Sequence, residues 1–330
     1  MACWVSVLSL ACMGSLLCCV QASPCPLLPM PSKVTEYTCS SPSLQEFPTG
    51  FSEDTRQISI EFTNISWIDV NALVGLDKLM ELHLSNNKLR SLPDGLFRDL
   101  RKLVALDLTN NLLEDLPPGI FRNSSALMQL ALRGNLLATL RPSWFHPLER
   151  LDALDLSNNQ LKDVPPFCFS KLENLTYLDL SFNFLQTLTP QILEGLTHLE
   201  KLDLEGNHLW SITDGTFRGA PNLKFLFLQN NTLASLSAEL FKPLNHLEML
   251  DVSNNKLNSL EPHFSSQATK LSLDLSNNPW TCDYHMSALV TWAKQSAVSL
   301  FAEPQTTCDS PKDLEGQVVT SLLPSTFDSC

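Results

Sequence analysis

The chain has 330 residues and carries 35 acidic against 22 basic side chains, a formal net charge of −13. An acidic surface argues against nucleic acid and anionic membranes as partners, because both repel it. It suits a basic partner or simple solubility in a protein-rich fluid, and composition alone leaves both open.

Residues 1–22 hold no charged side chain, and the run Val5–Val20 is almost unbroken in apolar and small residues. Val20-Gln21-Ala22 gives the small-x-small pattern of a cleavage site, and Pro24 and Pro26 follow at once. The run is short for a membrane span, so residues 1–23 are expected to be a removed signal peptide. No second long apolar stretch follows, which predicts a soluble, secreted, extracellular protein with no membrane segment.

Cys3, Cys12, Cys18 and Cys19 would leave with the signal, so Cys25, Cys39, Cys168, Cys282, Cys308 and Cys330 remain. In an oxidising compartment these are disulfide candidates before they are metal ligands or nucleophiles. The sequons at Asn64, Asn123, Asn174 and Asn230 fit the same route as glycosylation sites. Cys25 and Cys39 bracket a proline-rich segment, and closing a loop of that size stabilises by ~3 kcal/mol in the chain-entropy model. Residues 24–66 read as this N-terminal cysteine cap with a degenerate first repeat. That copy is placed at Ile60-Glu61-Phe62-Thr63-Asn64-Ile65-Ser66-Trp67, with Ile65 in the slot that asparagine fills elsewhere.

Residues 67–278 repeat. Leu79-Met80-Glu81-Leu82-His83-Leu84-Ser85-Asn86-Asn87-Lys88-Leu89 fits LxxLxLxxNxL, and its asparagine returns every 24 residues from Asn87 through Asn111, Asn135, Asn159, Asn183, Asn207 and Asn231 to Asn255, with Asn278 after 23. Such a period marks a solenoid of stacked units. The LxL core is a short strand with its leucines inward, and stacked copies form a parallel sheet with strands ~4.8 Å apart. The template asparagine is expected to satisfy turn groups of its own and the next repeat. The second half supplies a phenylalanine column of Phe97, Phe121, Phe145, Phe169, Phe217 and Phe241, with Leu193 substituting once. The predicted fold is therefore an α/β leucine-rich-repeat solenoid, with a curved parallel sheet on the concave side, short helical or irregular segments on the convex side, and disulfide caps. Cys168 takes the position of Leu96, Ile120 and Trp144, so it reads as a buried small hydrophobe.

Residues beside the inward leucines face the concave side. One column reads His83, Asp107, Ala131, Asp155, Asp179, Asp203, Phe227, Asp251, Asp274. Like charges about 5 Å apart in water repel by roughly 0.8 kcal/mol per pair. The aspartates are tolerated either because they bond neighbouring serines or because a cationic partner docks there. The column two residues earlier reads Glu81, Ala105, Gln129, Ala153, Tyr177, Lys201, Phe225, Met249, Ser272. Tyr177, Phe225 and Phe227 beside Asp155, Asp179, Asp203 and Asp251 make the expected partner-binding face, unless the phenylalanines are covered by neighbours or by a glycan on Asn230.

No HExxH, GxSxG or glycine-rich phosphate loop occurs, and the 7 histidines show no metal-ligand spacing. Aspartates on adjacent strands, ~5 Å apart, could imitate a glycosidase pair. Equivalent carboxylates on an open sheet lack the pocket needed to separate their pKa values. The sequence therefore predicts a binding protein with no catalytic residues, no metal and no cofactor.

Residues 279–330 form the expected C-terminal cap. Asn278-Pro279-Trp280-Thr281-Cys282-Asp283, a helix-like stretch Ser287–Ala297 and Cys308 resemble the cysteine-rich flank of secreted leucine-rich-repeat proteins. That flank implies a Cys282–Cys308 bridge. Tyr284 stands where a further cysteine is usual, which leaves Cys330 as a spare thiol for a small-thiol adduct or a link between chains. The whole mature part resembles the leucine-rich alpha-2-glycoprotein family, and within it the beta-type phospholipase A2 inhibitors of snake serum. Leu82-His83-Leu84-Ser85, Leu204-Glu205-Gly206-Asn207, Phe225-Leu226-Phe227-Leu228 and the reduced cysteine set carry the likeness to the family, and Cys25-Pro26-Leu27-Leu28-Pro29 with Thr38–Phe47 the likeness to the inhibitor branch. The resemblance implies a circulating homo-oligomer that neutralises basic phospholipase A2. It also implies an alternative, a plasma signalling or carrier protein that binds a growth factor or a basic haem protein.

Overall fold

The computed structural model describes residues 25–31, 33–262, 271–296 and 298–322. The expected signal peptide and Cys330 lie outside them. Twelve short strands form one parallel sheet in chain order, from Glu36–Cys39 and Gln57–Ile60 through the repeat strands to Leu271–Asp274 and Val298–Phe301. Successive repeats pair residue for residue, so Tyr177, Leu178 and Asp179 lie beside Lys201, Leu202 and Asp203. In the nine repeat strands from Glu81–His83 to Leu271–Asp274 the inward leucine and the leucine or valine two residues on are buried in one continuous core. Among the described residues the return side of the coils holds short pieces, the helical turns Pro142–Phe145 and Pro190–Leu193, the 3₁₀ turns Thr216–Gly219 and Ala238–Leu240, and a two-residue strand pair Thr187–Leu188 with Ser211–Ile212. The phenylalanine column runs beneath them fully buried, with Phe97 stacked on Phe121 at 6.1 Å and Phe145 edge-on to Phe169 at 5.2 Å.

The template asparagines hold neighbouring coils together. The Asn159 side chain donates from Nδ2 to the carbonyls of Leu132 (3.0 Å), Leu156 (3.0 Å) and Ser157 (3.1 Å), and its Oδ1 accepts from the Leu137 N–H at 3.1 Å. The partner repeat is the preceding one, not the following one expected from sequence. Buried carbonyls at the turn thus find donors that water cannot supply. The residue just before each of these asparagines has left-handed backbone, with φ of 52–67° from Asn86 to Asn277. Asparagine and glycine tolerate that conformation, and Phe182, at φ 53°, does not do so readily. Gly206, the next residue in that column, gives Phe182 room, since a Cβ there would lie 2.6 Å from the Phe182 ring.

Register corrects the reading of the first repeat. Ile58 pairs with Leu82 and Ser59 with His83, so Thr63, not Ile65, occupies the asparagine slot. Both the Thr63 N–H and its hydroxyl donate to Asn87 Oδ1, which explains why a threonine serves at the end of the ladder. Ile65 is an inward apolar residue, and Phe62 is an exposed residue in the left-handed column.

The ends are closed as layers of apolar residues. Cys25–Cys39 ties down the first strand, and Tyr37 packs edge-on against Phe51 at 5.1 Å. At the other end Trp280 is fully buried and donates from its ring N–H to the Leu275 carbonyl. The helix Tyr284–Gln295 begins earlier than its sequence suggested, because Asp283 caps it by accepting from the His285 and Met286 N–H groups. Met286, Leu289 and Trp292 of that helix cover the last coil, and Cys282–Cys308 fixes the segment.

Candidate functional site

The concave face is built from the outward residues of three-residue strands, so each side chain there is placed by strand register alone. Asp155, Asp179 and Asp203 are direct neighbours on adjacent strands and form a continuous row of three carboxylates. Phe227 follows Asp203 and precedes Asp251, so Asp251 belongs to a second acidic group with Asp274. Ala131 likewise separates Asp107 from Asp155. The six aspartates are therefore not one ladder but a row of three with outliers.

Each aspartate also has a local task. Oδ1 of Asp155 accepts from the N–H of Ser157 at 2.9 Å and from its hydroxyl at 2.6 Å, and Asp179 holds Ser181 in the same way. This turn bond repeats at Asp107, Asp203, Asp251 and Asp274. It explains why aspartate is tolerated at the strand end, but not why three adjacent strands all carry one. Burial, reinforced by the Asp179 carboxylate, raises the Asp155 pKa and lifts that of Asp203 to about 7. Burial also raises the Asp251 pKa. The Tyr177 hydroxyl donates to Asp179 Oδ2 at 2.9 Å, and burial followed by the Asp179 charge pushes its own pKa upward.

Beside the row lies an apolar hollow of about 450 Å³. Its floor is formed where Ala105, Ala131 and Ala153 stand in columns that carry Tyr177, Phe225 and Phe227 on later strands, and those rings line it too. Phe225 and Phe227 are half-buried side by side, as are Tyr177, Asp155 and Asp203, while Asp179 is buried. The Lys201 ammonium lies 5.0 Å from the Tyr177 ring centre and 5.1 Å from that of Phe227. Asp152, Asp155 and Glu200 add acidic groups to the lining. Of this lining, sequence reasoning singled out Asp155, Tyr177, Phe225 and Phe227 but missed Asp152, Glu200, Lys201 and the alanine floor. The signal was present as small residues interrupting columns of large ones.

The strands Tyr177–Asp179 and Lys201–Asp203 lead into a second exposed feature at the sheet edge. Phe182, Phe184 and Trp210 are exposed there, and Phe184 packs edge-on to His208 at 5.5 Å.

The remaining candidate residues are scattered. Asn64, Asn123 and Asn174 each donate from the side-chain amide to a backbone carbonyl of the preceding coil, at Pro42, Arg98 and Glu149. Asn230 donates instead to Glu205 Oε1. Cys168 is fully buried and unbridged, and burial pushes its thiol up to about 12. Among the described residues no group of three or more His, Cys, Asp or Glu is arranged to hold a metal ion, and no helix is long and apolar enough to cross a membrane.

Stacked 24-residue units, an asparagine ladder and a parallel sheet with an acidic concave face define a leucine-rich-repeat solenoid. The leucine-rich-repeat family model matches in overlapping stretches from residue 55 to residue 279, more than half of the chain, and the chain belongs to that family. Over 75 residues it is 59% identical to a phospholipase A2 inhibitor of Gloydius brevicaudus siniticus and to a phospholipase A2 inhibitor beta of Elaphe climacophora. Each match spans 23% of this chain and 23% of the relative, so the matched region is about a quarter of those proteins' length. Among solved structures, a chain of the octameric complex of Latrophilin 3, Unc5D and FLRT2 (LRR) superposes with a TM-score of 0.63 at 28% identity, over 88% of this chain and 81% of that one. A leucine-rich-repeat protein of Leptospira interrogans gives 0.62 at 25% identity, over 86% and 76%.

Proposed function

We propose that this chain is a circulating, glycosylated inhibitor that binds basic phospholipase A2 on its concave face and performs no chemistry of its own. The observation that carries this reading is the row Asp155, Asp179 and Asp203, three partly desolvated carboxylates side by side on an open surface. Their turn bonds engage one oxygen each, Tyr177 takes the second oxygen of Asp179, and no described ion pair neutralises the row, with Lys201 favouring the ionised form of Asp203 only from a distance. A lysine or arginine patch relieves the mutual repulsion. Long-range attraction between an acidic face and a basic enzyme speeds encounter and weakens as salt rises, while the desolvated pairs slow dissociation. The likeness to phospholipase A2 inhibitors supplies the enzyme class, and the sign of the face supplies the preference for a basic member. Inhibition follows if the docked solenoid covers the enzyme's access route to its lipid.

The test is a titration of the purified protein against a basic and an acidic group II phospholipase A2 in a vesicle hydrolysis assay. Stoichiometric inhibition of the basic enzyme, with much weaker effect on the acidic one, is expected. Unimpaired hydrolysis by the basic enzyme at equimolar inhibitor would end this reading.

A further inference from the structure

We infer that the hollow beside the carboxylate row is a side-chain pocket, which receives one exposed aromatic or branched aliphatic residue of the protein partner with a neighbouring lysine or arginine. The inference rests on the reading of the concave face as the partner-binding surface. Its volume of about 450 Å³ lies within the roughly 300–1,000 Å³ of ordinary binding pockets, and its lining of alanines and aromatic rings is mostly apolar.

The shape comes from substitutions within two columns. Ala131 stands where Phe227 stands four repeats later, and Ala153 stands where the next strand has Tyr177. The step from methyl group to ring makes both the floor and the wall. Rings prefer edge-to-face or offset contact with other rings, so a wall of tyrosine and phenylalanine favours an aromatic or branched knob.

Charge specifies what must accompany that knob. Asp152, Asp155 and Glu200 line the hollow against the single base Lys201. Asp152 accepts from the Thr176 hydroxyl at 2.6 Å, and Glu200 is paired with Lys224 at 2.8 Å. Asp155 has both of its described hydrogen bonds on Oδ1, so Oδ2 keeps its capacity for a partner's cation. Lys201 already lies across the faces of Tyr177 and Phe227, which marks this wall as one that holds an ammonium. A partner cation takes that place as the flexible lysine stem swings toward Asp203, whose charge it already feels. Aromatic or aliphatic anchors beside desolvated charge pairs are the residues that dominate interface energies.

The inference is tested on the full mature chain with 2-(2-naphthyl)ethylammonium, followed by protein NMR, and with basic phospholipase A2. Saturable binding of the ammonium is expected. The neutral 2-(2-naphthyl)ethanol should bind at least tenfold more weakly, and Ala131→Phe should weaken the ammonium at least tenfold. Phe227 shows that this column accommodates phenylalanine, and an unchanged thermal midpoint would verify folding. Ala153→Tyr serves as a second filling variant in the column of Tyr177. The same variants should weaken the enzyme complex tenfold or more. No saturable binding of the ammonium, equal binding of the alcohol, or an enzyme affinity unchanged by both variants would overturn the pocket. Binding of the probe without any binding of the enzyme would instead remove the partner reading and leave the pocket standing.

Discussion

The two faces of a single strand follow different rules. Facing inward, Leu154, Leu178, Leu202 and Leu226 repeat without change, all buried. Facing outward from the same strands, Ala153, Tyr177, Lys201 and Phe225 differ at every step. An inward side chain meets the same neighbours in every coil, so packing imposes the same answer each time. An outward side chain meets solvent or a partner, and its identity is free to vary. Uniform columns therefore report the scaffold, and broken columns report the surface on which the scaffold acts.

The largest expected effect breaks a uniform column. Asn159→Ala removes four hydrogen bonds together and leaves the Leu137 N–H without its acceptor, while the carbonyls of Leu132, Leu156 and Ser157 keep one donor each from Asn135, Asn183 and Gly134. At roughly 0.5–1 kcal/mol for each of the three lost carbonyl bonds and about 1 kcal/mol or more for the orphaned N–H, a loss of about 3 kcal/mol is expected in urea denaturation. A loss under about 1 kcal/mol would mean that the ladder is dispensable. A smaller change of opposite sign is expected where a column is already broken. Phe182→Asn places a tolerant residue at φ 53° and should stabilise by about 1 kcal/mol, because left-handed backbone costs an ordinary residue roughly that much. If it also weakens partner binding, the exposed aromatic edge belongs to the footprint.

The subtlest effect is in pH. The Asp203 carboxyl titrates at about 7, above its ordinary 3.8, because burial and the Asp179 charge disfavour its ionised form. The folded state therefore holds this proton more tightly than the unfolded chain. That stabilisation is present at acid pH and is lost as pH rises from about 4 to about 7. Asp203→Asn should flatten that segment of the stability profile. A docked cation reverses the preference, so partner affinity should rise between pH 6 and pH 8 with proton release, and calorimetry in buffers of different ionisation enthalpy would measure the release. A pH-independent affinity would place the cation elsewhere.

Much of the scaffold was legible in the sequence, because each buried asparagine, leucine and phenylalanine returns with the period of its neighbours. The first repeat was misread because Thr63 replaces the asparagine and Ile65 then resembles a substitution rather than the next apolar position. The acidic row and the aromatic residues were visible as columns, since strand alternation fixes which residues face outward. Their grouping was not. That Phe227 isolates Asp251 from Asp203 appears only when the columns are laid side by side in register. The hollow was illegible for a different reason, since it consists of what Ala105, Ala131 and Ala153 do not fill. Asp155 and Asp203 likewise show their altered acidity only once burial is known.

The central claim, that the carboxylate row is where a basic partner docks, is tested most directly by changing Asp155, Asp179 and Asp203 together to asparagine. Affinity for basic phospholipase A2 would then be measured across a series of salt concentrations. Asparagine keeps the turn-bonding oxygen, so folding should be retained. The account predicts that affinity falls at least a hundredfold at low salt and that its dependence on salt largely disappears. Unchanged affinity with an unchanged salt dependence, in a variant that folds normally, would contradict it.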